Sequence, residues 1–261
     1  MSYLNRILEA TSERVLTGKR ERPASALEDE IRRADAPRDF LAALSGPGIS
    51  LIAEFKRASP SAGPIAGDSS IVRMAKAYDR GGAAAMSVLT DRLFFSGSLD
   101  DLAMAKQAAG LPVLRKDFIF DEWQVLESRA AGADAVLLIA AAVPDPGIMR
   151  ALASRIRELG MAALIEVHSE EELEKIMDLS PSLVGINQRD LTTLAVDRGL
   201  AVRLRKLIPK GTLVVAESGI SSRDDVERLE QAEVDAMLVG EHLMRSGDPA
   251  AAAAELLGGS R

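Results

Sequence analysis

The stretch LVVAESGISSRDDVERLEQAEVDAMLVG, residues 213–240, decides the fold. Its first apolar run, 213–217, ends on Glu217 and passes straight into Ser218 and Gly219. Ser222, with Asp225 three places on, then reads as a helix N-cap, and helical spacing follows until a second apolar run, 236–240, ends on Gly240. Neither run alternates apolar with polar residues. A strand patterned this way is covered on both faces, as in a parallel sheet packed under helices. The unit is strand, helix, strand, joined by a right-handed crossover.

The same unit recurs along the chain. Apolar runs stand at 50–55, 84–90, 112–115, 135–140, 162–167 and 183–187, which with the two above makes eight. Helices between them open on Asp121 with Gln124, on Ser169 with Glu172 and on Asp248 before Pro249. Gly81, Gly110, Gly132 and Gly160 are expected to end helices in a positive-φ turn. Eight strand–helix units predict the α/β class and a closed eightfold β/α (TIM) barrel. A doubly wound open sheet fits less well, because eight units are too many and no G-x-G-x-x-G follows the first run. Residues 1–48 carry an apolar stripe, Leu4, Ile7, Leu8 and Val15, then Ser25-x-x-Glu28 as the start of a second helix. They are expected to be a helical extension capping a barrel of residues 49–261, the whole chain being one domain.

Composition narrows the function. The 261 residues are 47% hydrophobic and 27% charged, enough for both a core and a solvated surface. A net charge of −7 offers no footprint for nucleic acid or an anionic membrane, so neither is an expected partner, and an anionic substrate would need local cations. The chain has no cysteine, which excludes disulfides and thiolate chemistry, and its two isolated histidines argue against a zinc site. The N-terminal segment is broken by charge every few residues, so neither a signal peptide nor a membrane span is expected, and a cytoplasmic location is. His168 and His242 read as loop residues without a role, and the nine methionines as core filler.

In such a barrel the carboxyl ends of the strands face the active site. Those ends carry Glu54 and Lys56, Lys116 and Asp117, Glu166, Asn187 and Arg189, and Glu217 with Ser218. Any one of them alone reads as the first solvated residue of a loop. Together they read differently, because Glu54 and Glu217 lie inside apolar runs, where an unpaired carboxylate costs several kcal/mol, and lysines are the natural partners. A cluster of ammonium and carboxylate groups suits proton transfer, with acid and base left to geometry. Gly219 and Gly240 offer backbone N–H groups where barrels commonly bind phosphate; Ser59 through Gly63 follows the first strand at the same rim, but Gly63 by itself reads as an ordinary turn. Phe94, Phe95 and Phe118, with Leu137 and Leu191, could be core packing or a flat slot for an aromatic ring.

The segments IAEFKRASPSA (52–62), SVLTDRLFFSGSL (87–99), VLRKDFIF (113–120), AAGADAVLLIA (130–140), LIEVHSEEELE (164–174), VGINQRDLT (184–192), VAESGISS (215–222) and MLVGEHLMR (237–245) together resemble the indole-3-glycerol-phosphate synthase family. The resemblance implies ring closure, decarboxylation and dehydration of 1-(2-carboxyphenylamino)-1-deoxyribulose 5-phosphate in tryptophan biosynthesis, by a carboxy-lyase without metal or organic cofactor. It implies Lys116 as the general acid at the ketone, Glu166 and Asn187 as stabilisers of the intermediate, and Glu54 with Lys56 as the dehydration pair, either Lys56 or Glu166 supplying the acid. Ser59, Ser218, Gly219, Gly240 and Glu241 would surround the phosphate, Glu241 through its backbone N–H. Phe95, Phe118, Leu137 and Leu191 would form the anthranilate slot, Glu217 would meet the sugar hydroxyls, and Arg189 would join the binding set. Arg57 and Ala62 stand where the family more often has lysine, and His242 where it has a small residue. The N-terminal helices resemble the family's extension over the site. No second barrel is expected, and a monomer is compatible with the reading. Two rivals remain: a Schiff-base aldolase using Lys56 or Lys116, and a catalytically silent barrel.

Overall fold

The structure, a computed structural model, describes residues 3–59, 63–65, 69–191 and 193–259. Eight parallel strands close into a barrel: β1 Ser50–Phe55, β2 Ala85–Leu89, β3 Val113–Lys116, β4 Ala135–Ile139, β5 Ala162–Val167, β6 Leu183–Asn187, β7 Leu213–Glu217 and β8 Ala236–Val239. Closure is made by β1 against β8, with Ser50 opposite Ala236 and Ala53 opposite Val239. All eight strands are buried along nearly their whole length, which is why none shows alternation in the sequence. A two-residue antiparallel pairing of Ala58–Ser59 with Gly63–Pro64 adds a small hairpin after β1 that the apolar pattern does not announce.

The caps behave as their residues require. Ser222 and Asp225 form a reciprocal capping box, as do Asp121 and Gln124, and Asp248 accepts from Ala250 and Ala251 ahead of Pro249. Two glycine assignments need correction. The positive φ at the first expected stop belongs to Gly82, since Gly81 lies at φ −77°, and Gly110 is not among the positive-φ glycines, whereas Gly132 and Gly160 are. Gly81 is needed for a different reason: a Cβ there would sit 2.7 Å from the carbonyl oxygen of Ala250 on the last helix.

Among the described residues the N-terminal extension forms three helices, which serve three places. The start of α1 (Tyr3–Glu21) lies at the mouth, where Tyr3, Leu4 and Ile7 line the central cavity. Helix α2 (Ala24–Ile31) begins after Pro23 rather than at Ser25, and makes no side-chain cap. With α1 it packs Val15 and Leu27 against Trp123 and Leu126 of the helix Glu122–Ala130, a second small core on the barrel's flank. Close approach there depends on Gly18, where a Cβ would meet the Trp123 ring at 2.3 Å. Helix α3 (Phe40–Leu44) sits at the opposite end, its Leu44 carbonyl accepting from Ser50 Oγ at the start of β1. No helix among the described residues is long and apolar enough to cross a membrane.

Candidate active site

Every side chain selected from the strand ends lines one cavity of about 410 Å³ at the carboxyl mouth of the barrel. Lys116, the last residue of β3, donates to Glu166 Oε2 of β5 at 3.0 Å and to Glu217 Oε2 of β7 at 2.6 Å. Glu54 of β1 pairs with Lys56 at 2.7 Å. Asn187, ending β6, donates from Nδ2 to Glu166 Oε1 at 3.3 Å, and its Oδ1 accepts from Ser218 Oγ at 2.8 Å. The three glutamates are buried and both lysines are partly so, so the pairing expected from desolvation cost is present.

Glycines make the room. Gly185 in β6 and Gly240 after β8 face the site, where a Cβ would lie 2.4 Å from Glu217 Oε1 and 2.3 Å from Glu54 Oε1 respectively. Any larger residue would push a carboxylate out of line. Gly219 is needed for its backbone: it follows Ser218 at φ 67° with φ 76° of its own, two successive left-handed residues that turn the chain sharply at the cavity wall.

Sharing one ammonium between two carboxylates divides their behaviour. Burial alone would lower the Lys116 pKa, but the charges of Glu166, Glu217 and Glu54 outweigh it and hold the ammonium protonated well above its ordinary value. Burial raises Glu166, yet Lys116 and His168 overcome it, so that carboxyl lies well below the usual range. For Glu217, burial with Glu166 beside it outweighs Lys116, and its pKa is raised; Oε1 makes no hydrogen bond within the described residues. Of the two carboxyls, Glu166 is held as the anion and Glu217 is the one that takes up a proton more readily as pH falls.

In the same cavity Phe95 and Phe118 lie 6.4 Å apart at a tilt of 36°, and Leu137 and Leu191 also line it. Phe94 does not join them: it packs edge-on to Tyr3 with ring centres 5.6 Å apart, so of the three clustered phenylalanines it belongs to the packing of α1. Ser59, Ser218, Gly219, Gly240 and Glu241 line the same cavity. Glu241 is held by Arg245, whose Nε donates to Oε1 at 3.1 Å one turn along the same helix. Arg189 is turned partly to its own loop, donating to the Leu194 carbonyl at 3.0 Å, though it still lines the cavity. Pro60, Ser61 and Ala62 lie outside the described residues.

Sequence reasoning missed two residues here. Arg198 leans over Gly219, where a Cβ would stand 3.4 Å from its Cγ; it arrives on a long loop after β6 with no strand end to mark it. His168 is not an idle loop residue: it is buried behind Glu166, with Nε2 3.1 Å from Glu166 Oε1 and Nδ1 3.4 Å from Glu172 Oε2. Its signal was its place two residues beyond Glu166, on the strand's way into a capped helix. His242 also lines the cavity.

Comparison with known proteins identifies one family. A family model described as indole-3-glycerol phosphate synthase matches residues 4–256. An indole-3-glycerol phosphate synthase 2 of Streptomyces coelicolor is 47% identical over 254 residues, covering 97% of each chain. Indole-3-glycerol phosphate synthases of Parafrankia sp. and Mycolicibacterium vanbaalenii are 44% and 45% identical, over 98% and 96% of this chain and 96% and 93% of theirs. With matching of this extent running from α1 through β8, and the charged cluster assembled where the barrel places its chemistry, the chain belongs to the indole-3-glycerol phosphate synthase family.

Proposed function

We propose that the chain carries out its family's reaction, converting 1-(2-carboxyphenylamino)-1-deoxyribulose 5-phosphate to indole-3-glycerol phosphate with loss of carbon dioxide and water, and that the residues gathered around Lys116 perform it. The observation carrying this reading is the Lys116 ammonium bridged to two buried carboxylates in a cavity that Phe95, Phe118, Gly219 and Gly240 also line. An aromatic ring against Phe95 and Phe118, with a phosphate near Gly219 and Gly240, brings a ketone between the two ends toward the lysine.

Lys116 then polarises the ketone while the carboxylate-bearing ring carbon attacks it, and the oxygen, becoming an alkoxide, takes the ammonium proton. A raised pKa is no obstacle, since an alkoxide is the stronger base. Attack leaves the ring and its nitrogen electron-poor, and Glu166, held anionic, stabilises that positive charge with Asn187 beside it. Carbon dioxide departs with the C–C electron pair returning to the ring. Glu54 and Lys56, paired at 2.7 Å, remove a proton and assist departure of the hydroxyl as water. Glu217 faces the sugar hydroxyls, its Oε1 available to accept. Gly219, Gly240 and Glu241 offer backbone N–H groups to the phosphate, Arg245 draws the Glu241 carboxylate aside, and Arg198 adds positive charge to that rim. A monomer is compatible with this reading, and the acidic, cysteine-free composition supports work in the cytoplasm.

The test is to mix the purified protein with the carboxyphenylamino-deoxyribulose phosphate and follow indole fluorescence. Turnover is expected. Tight binding without fluorescence would favour the silent barrel, and a borohydride-trapped adduct on Lys56 or Lys116 would favour the Schiff-base reading.

A further inference from the structure

Behind Glu166, on the side away from Lys116, stands a buried group that the reaction as written does not use. His168 follows Glu166 by two places in the chain, as β5 runs into the helix Glu170–Met177. Its imidazole lies between two carboxylates: Glu166 Oε1 at 3.1 Å from Nε2, and Glu172 Oε2 at 3.4 Å from Nδ1. Glu172 is itself tied down, because the same Oε2 accepts from the His168 backbone N–H at 2.7 Å and its own N–H donates to Ser169 Oγ at 3.2 Å. Neither ring N–H points squarely at its oxygen, so charge rather than a linear hydrogen bond holds the ring.

Glu166 is consequently gripped from both ends. Oε2 faces Lys116, while Oε1 faces His168 and the Asn187 amide. Resting on the function proposed above, we propose that His168 is a positioning residue of the reaction: a cationic wedge between Glu166 and Glu172 that fixes the Glu166 carboxylate against Lys116 and keeps it an anion throughout the cycle. The groups facing this pair from other elements are Lys116 of β3, Asn187 of β6 and Glu217 of β7. Burial would lower the histidine, but contact with Glu166 and then with Glu172, and their charges, push it up to about 10. The imidazolium therefore persists through neutral pH. Without it, Glu166 would face burial and the Glu217 carboxylate with Lys116 as the one cation bonded to it among the described residues, and Lys116 is shared.

The chain has only two histidines, so both rings can be followed individually by NMR in ¹⁵N-histidine-labelled protein, with His168→Gln assigning the signals. The expected result is a His168 ring that stays doubly protonated through neutral pH and loses a proton only near 10, and whose midpoint falls by about one unit or more in Glu166→Gln. A His168 ring that titrates in the ordinary histidine range in the wild-type protein overturns the proposal. In turnover, His168→Gln and His168→Phe are expected to lower kcat by about 10- to 100-fold with KM little changed. The acidic limb of the kcat–pH profile should move upward in both, because Glu166 becomes easier to protonate. Wild-type kcat and an unmoved acidic limb in folded His168→Phe would also overturn it. Absence of turnover in the wild type would count against the proposed function instead, and the ring titration would still judge His168 on its own.

Discussion

Arg115 and Lys116 are neighbours on β3, both cationic and both set among carboxylates, yet strand alternation sends them to opposite sides of the barrel wall. Arg115 points outward and is wholly buried. Its Nε donates to Thr90, one terminal nitrogen to Gln124 O and Ser128 Oγ, the other to Asp117 and Glu127 at 2.9 and 2.8 Å. Asp117 is equally satisfied, accepting from Thr90, Arg115, Arg14 and the Phe118 N–H. Lys116 points into the mouth, where two carboxylates divide one ammonium and Glu217 Oε1 accepts no hydrogen bond among the described residues. A buried ionic network with every donor used is rigid scaffolding, whereas one left short of partners is poised to take a ligand's polar groups in exchange. The satisfied network also carries Arg14 of α1, so it joins the helix over the mouth to the strand that ends in the proposed catalytic lysine.

This contrast can be broken at either end. The largest effect is expected from Lys116→Met, which should lower turnover by roughly 10³- to 10⁴-fold while circular dichroism and product binding persist. Near-normal turnover would remove the lysine from the reaction. Arg115→Met strands Asp117 and Glu127 without their main cation and should cost about 3–5 kcal/mol of stability in urea unfolding. Turnover per folded molecule should fall far less than in Lys116→Met; an equal fall would mean the two networks are one. Gly185→Ala drives a methyl into Glu217, and kcat is expected to drop by about 10²-fold with little change in fold. Unchanged kinetics would show that the Glu217 position is not critical. Smallest of all, Arg14→Ala removes a partly exposed partner from an otherwise complete network and should cost about 1 kcal/mol or less in the same urea experiment. A larger loss would make α1 part of the scaffold rather than its cover.

The limits of sequence reading can be traced to individual residues. The β5, β6 and β7 runs were legible to the residue because apolar runs carrying a polar residue at or next to the end are dictated by burial on both faces. The Lys116–Glu217 pairing was legible in kind, since a carboxylate inside an apolar run demands a cation, but not in detail, because Glu166 and Glu217 compete for the same one. The hairpin at Ala58–Ser59 escaped because two-residue pairings leave no periodicity. Arg198 escaped because loop path, not local pattern, brings it over Gly219.

Composition, periodicity and caps by themselves determined that eight strand–helix units close into a barrel and that its rim bears lysines and glutamates, for these follow from solvation and from local backbone geometry. Only the tertiary structure decided which carboxylate each ammonium serves, why Gly185 and Gly240 must lack side chains, that the extension divides among mouth, flank and floor, and that His168 stands guard behind Glu166. Those depend on distances of a few ångströms between residues far apart in the chain, Lys116 and Glu217 by 101 positions, and electrostatic energy in a low-dielectric interior is settled by such distances.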